Sequence, residues 1–216
     1  MDEPATAAEG PRRVLLFTGH RLDAPGRETP RFPPRSEERA REMIHAAVAA
    51  ELAAARGETG EAAEAPVRGL AGAASGGDIL FLEVCRELAI PCEIYLALPR
   101  DGFVQASVAA AGADWVARFD RLLAALPSRV LAEGAELPRW LRGASRTDYT
   151  LWQRNNLWLL ANALDSAPDA GRLTLIALWD GEEGDGPGGT GHMIDVARER
   201  GARTVVLDAK ELADEG

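Results

Sequence analysis

Val14-Leu15-Leu16-Phe17-Thr18-Gly19-His20-Arg21 is the stretch on which the fold turns. Its first five residues form a short continuous run with no polar alternation, as expected of a strand covered on both faces; strands of that kind belong to parallel sheets. The signature returns along the chain. A weaker run at 67–70 ends in Gly72-Ala73-Ala74-Ser75-Gly76-Gly77-Asp78, and Cys92-Glu93-Ile94-Tyr95-Leu96-Ala97-Leu98 is a third strand, closed by Pro99. Residues 173–179 form the fourth strand, followed by a glycine-dense loop at 180–191, and Thr204-Val205-Val206-Leu207 forms the last.

Helical patterns fill the intervals. Ser36 precedes Glu37-Glu38 and an Ala-rich stretch to about residue 56, which reads as a capped helix. Residues 57–65, with three glutamates and two glycines, read as a loop. Ile79-Leu80, Val84 and Leu88 keep helical spacing until Pro91, and 101–126 is helical with an interruption near Gly112. Asp148 caps a helix through Leu164 that carries Tyr149, Trp152 and Trp158, and a last helix spans about 192–200. Residues 127–147 read as loop or a small insertion, with Val130-Leu131 a candidate short strand. No internal repeat is present, and 1–11 and 209–216 read as loose tails around a single domain at 12–208.

Strands alternating with helices predict an α/β, three-layer, Rossmann-like domain, with a mainly parallel sheet and helices on both faces. If the five main strands lie in the order 3-2-1-4-5, the direction of winding switches between the first and the fourth. Ligands are then expected outside the carboxyl ends of those two strands.

Composition limits the partners. The 216 residues are 46% hydrophobic, 27% charged and 6% aromatic, the profile of one soluble globular domain. Lys plus Arg is 24 and Asp plus Glu is 34, a formal net charge of −10. That balance argues against nucleic acid as a partner, because neutralising many phosphates takes clustered basic residues. A small anion stays compatible, since a few amides and one or two arginines hold a phosphate locally. Cys85 and Cys92 make neither a disulfide framework nor a metal-ligand pattern. The amino-terminal stretch lacks the features of a signal peptide, and no apolar run reaches the ~20 residues that span a bilayer. A cytoplasmic protein without membrane contact is expected.

Three loops each follow a strand and precede a helix: Gly19-His20-Arg21, the 72–78 turn, and Gly186-Pro187-Gly188-Gly189-Thr190-Gly191. Glycine allows close backbone approach, and the first amides of the next helix lack acceptors, so an anion fits there. A tight turn explains either glycine cluster alone; two clusters brought together by the topology favour binding. Neither matches the phosphate-binding loop of NTPases, and the first loop lacks G-x-G-x-x-G, which disfavours an NTPase and an ordinary NAD dehydrogenase. Ser75 lacks the G-x-S-x-G setting of a hydrolase nucleophile. No histidine stands at metal-ligand spacing and Asp180-Gly-Glu-Glu-Gly-Asp185 departs from the EF-hand order, so neither a metal nor a cofactor is expected. Asn155 and Asn156 interrupt an apolar helix face, where an amide needs partners, and one of them is a ligand-contact candidate. Trp152 and Trp158 read as core, and Trp179, beside the glycine loop, as the better stacking group. His45, inside a helix, reads as structural.

Taken together, Thr18-Gly19-His20-Arg21, the 72–78 turn, Leu98-Pro99-Arg100-Asp101-Gly102-Phe103-Val104 and Gly186-Pro187-Gly188-Gly189-Thr190-Gly191 resemble the SLOG superfamily over about residues 13–208. This group of Rossmannoid domains is similar to the lonely-guy (LOG) phosphoribohydrolases and to the DNA-processing protein A fold. The resemblance is closest to bacterial SLOG domains that sense nucleotide-derived ligands. LOG enzymes carry P-G-G-x-G-T-x-x-E, whose glycines hold phosphate and whose Glu acts at the N-glycosidic bond. Here Pro187-Gly188-Gly189-Thr190-Gly191-His192-Met193-Ile194-Asp195 keeps the glycines but has His192 for Thr and Asp195 for Glu. A carboxylate one methylene shorter is displaced by on the order of 1 Å, enough to cost ~100-fold in rate. Binding therefore survives the comparison better than catalysis.

The resemblance implies a nucleotide-binding or sensing domain. Its ligand contacts would come from Gly19, His20, Arg21, Ser75, Gly76, Gly77, Asp78, Arg100, Trp179, Gly188, Gly189, Thr190 and Gly191. The enzyme alternative is a nucleoside-monophosphate phosphoribohydrolase using Asp195 and Asp78; a third reading is an interaction module with a vestigial pocket. For Asp78 and Asp195, helix-dipole complementarity explains the charge equally well; surface solvation does so for Arg21 and is the stronger reading for Arg100. Homodimerisation is compatible with the apolar 148–164 helix.

Overall fold

The computed structural model describes residues 13–59, 67–131, 149–182 and 189–213. Six strands, β1 (Arg13–Gly19), β2 (Val67–Ala71), β3 (Cys92–Leu96), β4 (Ser128–Val130), β5 (Leu173–Trp179) and β6 (Arg203–Asp208), pair in parallel in the order β4-β3-β2-β1-β5-β6. The next three strands, β2 to β4, step away from β1 in chain order, and β5 then returns to its free side, with β6 beyond it. Between and after them lie α1 (Glu37–Thr59), α2 (Gly77–Glu87), α3 (Arg100–Ser107), α4 (Ala113–Ala125), α5 (Leu151–Ser166), α6 (Thr190–Glu199) and α7 (Lys210–Ala213).

Right-handed crossovers put helices on opposite faces when the sheet grows in opposite directions. α1, α2 and α4 therefore cover one face, where Ile44, Val48, Ile79, Phe81 and Phe119 pack on Leu15 and Phe17. α5 and α6 cover the other, where Trp158, Leu160, Met193 and Ile194 pack on Val14 and Leu16. Successive side chains of β1 thus enter different cores, which is why its run has no polar alternation. The three-layer α/β prediction and the order of the five main strands hold. The candidate short strand at Val130-Leu131 is β4, set at one edge, starting earlier, at Ser128, and ending at Val130.

Several boundaries differ from the sequence reading. Pro34–Ser36 form a 3-10 turn that runs straight into α1, so Ser36 does not cap it; its hydroxyl donates to the Leu212 carbonyl of α7 at 2.6 Å. α1 continues through Gly57 to Thr59, and α6 starts at Thr190 rather than 192. Asp148 lies outside the described residues, and Thr150 caps α5. Its hydroxyl accepts the Gln153 N–H at 3.3 Å while the Gln153 side chain accepts the Thr150 N–H at 2.9 Å. Within the stretch read as a carboxyl-terminal tail at 209–216, Ala209 and Leu212 are buried in the core and 210–213 form α7. The tail at 1–11, residues 214–216, most of the loop read at 57–65, most of 127–147 and Gly186-Pro187-Gly188 lie outside the described residues.

Two features fix the ends of the sheet. At the amino edge, the buried Glu51 carboxylate of α1 takes Arg13 of β1 at 2.9 Å, Thr174 of β5 at 3.2 Å and Arg203 of β6 at 3.1 Å. At the carboxyl edge, an antiparallel bridge between Arg21 and Gly76 joins the loops after β1 and β2. Leu22 N–H donates to the Ser75 carbonyl at 3.0 Å and Gly77 N–H to the His20 carbonyl at 3.1 Å. Gly76 has φ +102°, and a Cβ there would lie 2.6 Å from Leu22 N and 2.9 Å from His20 O. Gly76→Ala should cost about 3 kcal/mol or more in urea unfolding. Gly26→Ala, at φ +80° in open space, should cost only about 1 kcal/mol; equal losses would show that the bridge does not bind the loops.

Candidate functional site

Where β1 and β5 part, the following loops and helix ends enclose a cavity of about 540 Å³. Of the residues singled out in the sequence, Gly19, His20, Arg21, Ser75, Asp78, Trp179, Gly189 and Thr190 line it. Gly76 and Gly77 lie behind the wall, committed to the loop bridge. Gly191 lies under the Trp179 ring, where a Cβ would sit 3.1 Å from Cζ2. Gly188 is outside the described residues.

Two expected charges are elsewhere. Arg100 is held outside the cavity lining by a fork of hydrogen bonds to Asp120, at 2.9 and 2.6 Å, and by Asp101 at 2.7 Å. Asp195 is exposed and absent from the lining, because Met193, Ile194 and Ala197 give the inward face of α6 to the core. Ser75 is in place but occupied: both its N–H, at 2.9 Å, and its hydroxyl, at 3.2 Å, donate to the Ser107 carbonyl. With the Gly77 amide also engaged, α2 offers an anion less than its glycines suggest. At α6, by contrast, Gly189 holds the cap position and the first turn carries no acidic residue, so its amide end is electrostatically open to an anion.

The loop after β1 supplies charges the sequence reading missed. The Asp23 carboxylate accepts the Arg31 and Phe32 amides at 2.9 Å each, folding 23–32 back on itself and carrying Arg27 and Arg31 to the cavity beside Arg21. Arg31 Nε lies 2.7 Å from Asp180 Oδ2, and His20 Nε2 lies 3.1 Å from Asp180 Oδ1. Burial pulls His20 below the ordinary imidazole range, against the attraction of Asp180, so the ring is neutral at pH 7. Burial works to raise Asp180, but the Glu182 amide, His20 and Arg31 outweigh it and hold its carboxyl below the usual range. The only signal of this cluster in the sequence was the Arg and Pro content of the loop.

Asp78 is the cavity's unusual carboxyl. Surrounding protein pushes it up to about 7, against the Ala74 amide at 3.2 Å and the more distant Arg21. Gly72 makes the room, since a Cβ there would fall 2.5 Å from Asp78 Oδ2. Of the three arginines in the lining, Arg31 is answered by Asp180 and Arg27 lies 3.5 Å from Asp23, while Arg21 donates to the Ala106 carbonyl at 2.9 Å. With Asp78 partly neutral at pH 7 they offset the acidic groups around the cavity, on a chain whose formal charge is −10.

The remaining wall is α5 and α3. Trp152, read as core, is 37% exposed and lines the cavity beside Phe103, with ring centroids 6.3 Å apart. Trp158 is buried on Tyr95, as a core residue should be. Asn155 and Asn156 both line the cavity. Trp179 Nε1 donates to the Glu182 carbonyl at 2.8 Å, which fixes the indole over the start of α6. His45 is exposed on α1. Among the described residues, no group of three or more His, Cys, Asp or Glu is gathered to hold a metal, and no helix is long and apolar enough to cross a membrane.

The chain matches no family model, no curated protein and no solved structure.

The Asp78 carboxyl links stability to pH. Its folded pKa of about 7 stands above the unfolded value of about 3.9, so its contribution is full at low pH and is lost as pH rises through that window. Asp78→Asn removes the ionisation. The variant should match the wild type near pH 4 and exceed it at pH 8, by up to about 4 kcal/mol. Paired denaturant titrations check this, and a difference independent of pH would place Asp78 in an ordinary environment.

Proposed function

We propose that the chain binds a nucleotide or nucleotide-derived ligand in the β1/β5 crevice, acting as a sensing domain of the SLOG type that its motifs resemble. One observation carries the reading: a single cavity joins the amide end of α6 and three arginines with an aromatic wall at Trp152 and Phe103. An anionic group and a flat ring are what these two kinds of surface accept. Phosphate sits against Thr190 and the arginine cluster, a hydroxyl-bearing sugar against Asp78, and the base against the aromatic wall.

Asp78 also keeps the N-glycosidase alternative alive, because a carboxyl titrating at about 7 inside a cavity suits general acid/base work. That reading no longer has Asp195, which is exposed away from the cavity. The two readings part on turnover: a sensor binds and returns its nucleotide intact.

Thermal-shift and calorimetric titration with nucleoside mono-, di- and cyclic phosphates and ADP-ribose, with chromatography of the mixtures, tests both. At least one nucleotide should raise the melting temperature without releasing free base. Arg21→Ala, which removes a charge-assisted contact, should weaken that binding about tenfold. Free base that disappears in Asp78→Asn would establish the enzyme instead, and silence in both assays would leave an interaction module.

A further inference from the structure

α5 turns an unusual stripe into the cavity. Trp152, Asn155, Asn156 and Leu159 follow the i, i+3, i+4, i+7 spacing of one helix face, and all four line the crevice. A helix laid on a sheet ordinarily gives such a stripe to apolar side chains. Further along α5, Asn162 settles its own amide locally, donating to the Trp158 carbonyl at 2.7 Å. Asn155 does not. It is only 6% exposed, and its side-chain Oδ1 meets no hydrogen-bond donor among the described residues.

A buried acceptor without a donor carries a cost comparable to a lost hydrogen bond and calls for an explanation. Here the residue borders a cavity, so the missing donor can arrive with whatever fills it. One turn away on the same face, the half-open Trp152 ring stands beside Phe103 and offers a flat apolar surface. A planar ring laid on that surface would lie about one helical turn from Asn155, within the same cavity. A carboxamide offers an acceptor and an NH2 donor side by side, the pattern that pairs with the amino group and neighbouring ring nitrogen of adenine.

We infer that Asn155 is a specificity-determining residue of the crevice, selecting a planar heterocycle that carries an amino donor, with Trp152 as its stacking partner. The inference rests on the nucleotide reading above and adds to it an orientation: heterocycle toward α5 and α3, anionic group toward α6 and the loop after β1. An amino-bearing purine is the ligand class that satisfies the orphan acceptor.

The test is isothermal titration of the full chain with AMP, with purine riboside 5′-monophosphate, which lacks only the amino group, and with ribose 5-phosphate. The wild type should prefer AMP over the deaminated analogue by at least tenfold. Asn155→Ala should reduce that preference to within about twofold while leaving ribose 5-phosphate unchanged, and Trp152→Ala should weaken both nucleotides alike. The wild-type comparison stands even if a variant fails to fold. Equal binding of AMP and its deaminated analogue overturns the inference, as does an Asn155→Ala variant that weakens all three ligands equally. If AMP fails to bind while another nucleotide raises the melting temperature, the inference alone falls; if no nucleotide binds, the reading beneath it falls as well.

Discussion

β1 has a parallel neighbour on each side, and the winding of the chain reverses beside it. That reversal governs the rest of the molecule. Because right-handed crossovers commit α1 and α2 to one face and α5 and α6 to the other, the backbone leaving β1 and the backbone leaving β5 diverge. The space between them is left to side chains and to whatever enters from solvent. The bridge between Arg21 and Gly76 then fixes one bank of the opening, while Trp179 over Gly191 fixes the other.

The chemistry of the opening comes from how polar groups are divided between holding the fold and facing the cavity. Around α2, the Ser75 and Gly77 amides and the Ser75 hydroxyl are spent on neighbouring carbonyls. Asp180 likewise spends its carboxylate on His20 and Arg31. What lines the cavity is three arginines that keep partners in the fold, the start of α6, a carboxyl that desolvation leaves partly neutral at pH 7, and the mixed aromatic and amide face of α5. An acidic chain thereby acquires a cavity in which arginines offset the local carboxylates, without a basic surface.

Much of this was legible in the residues. The uninterrupted run of β1, the turn residues after each strand and the helical spacing between them were enough for the layers, the strand order and the meeting of the loops. Side-chain destinations were not. Arg100 and Asp195 stand at helix positions that look available on paper; nearby carboxylates capture the first, and the core-facing residues of α6 turn the second outward. Trp152 and Trp158 are indistinguishable by type, and only the place where α5 overhangs the crevice separates the half-open ring from the buried one. Arg27 and Arg31 escaped notice because a non-local contact, the Asp23 carboxylate on the amides of 31 and 32, carries them to the site.

At the opposite edge of the sheet, Glu51 binds β1, β5 and β6 together through one buried carboxylate, far from any of the loops that meet above. The clamp that holds the sheet and the crevice above it are thus built from separate sets of residues. Such a layout uncouples the two ends: substitutions in the upper loops can reshape the crevice while the clamp underneath keeps the sheet assembled.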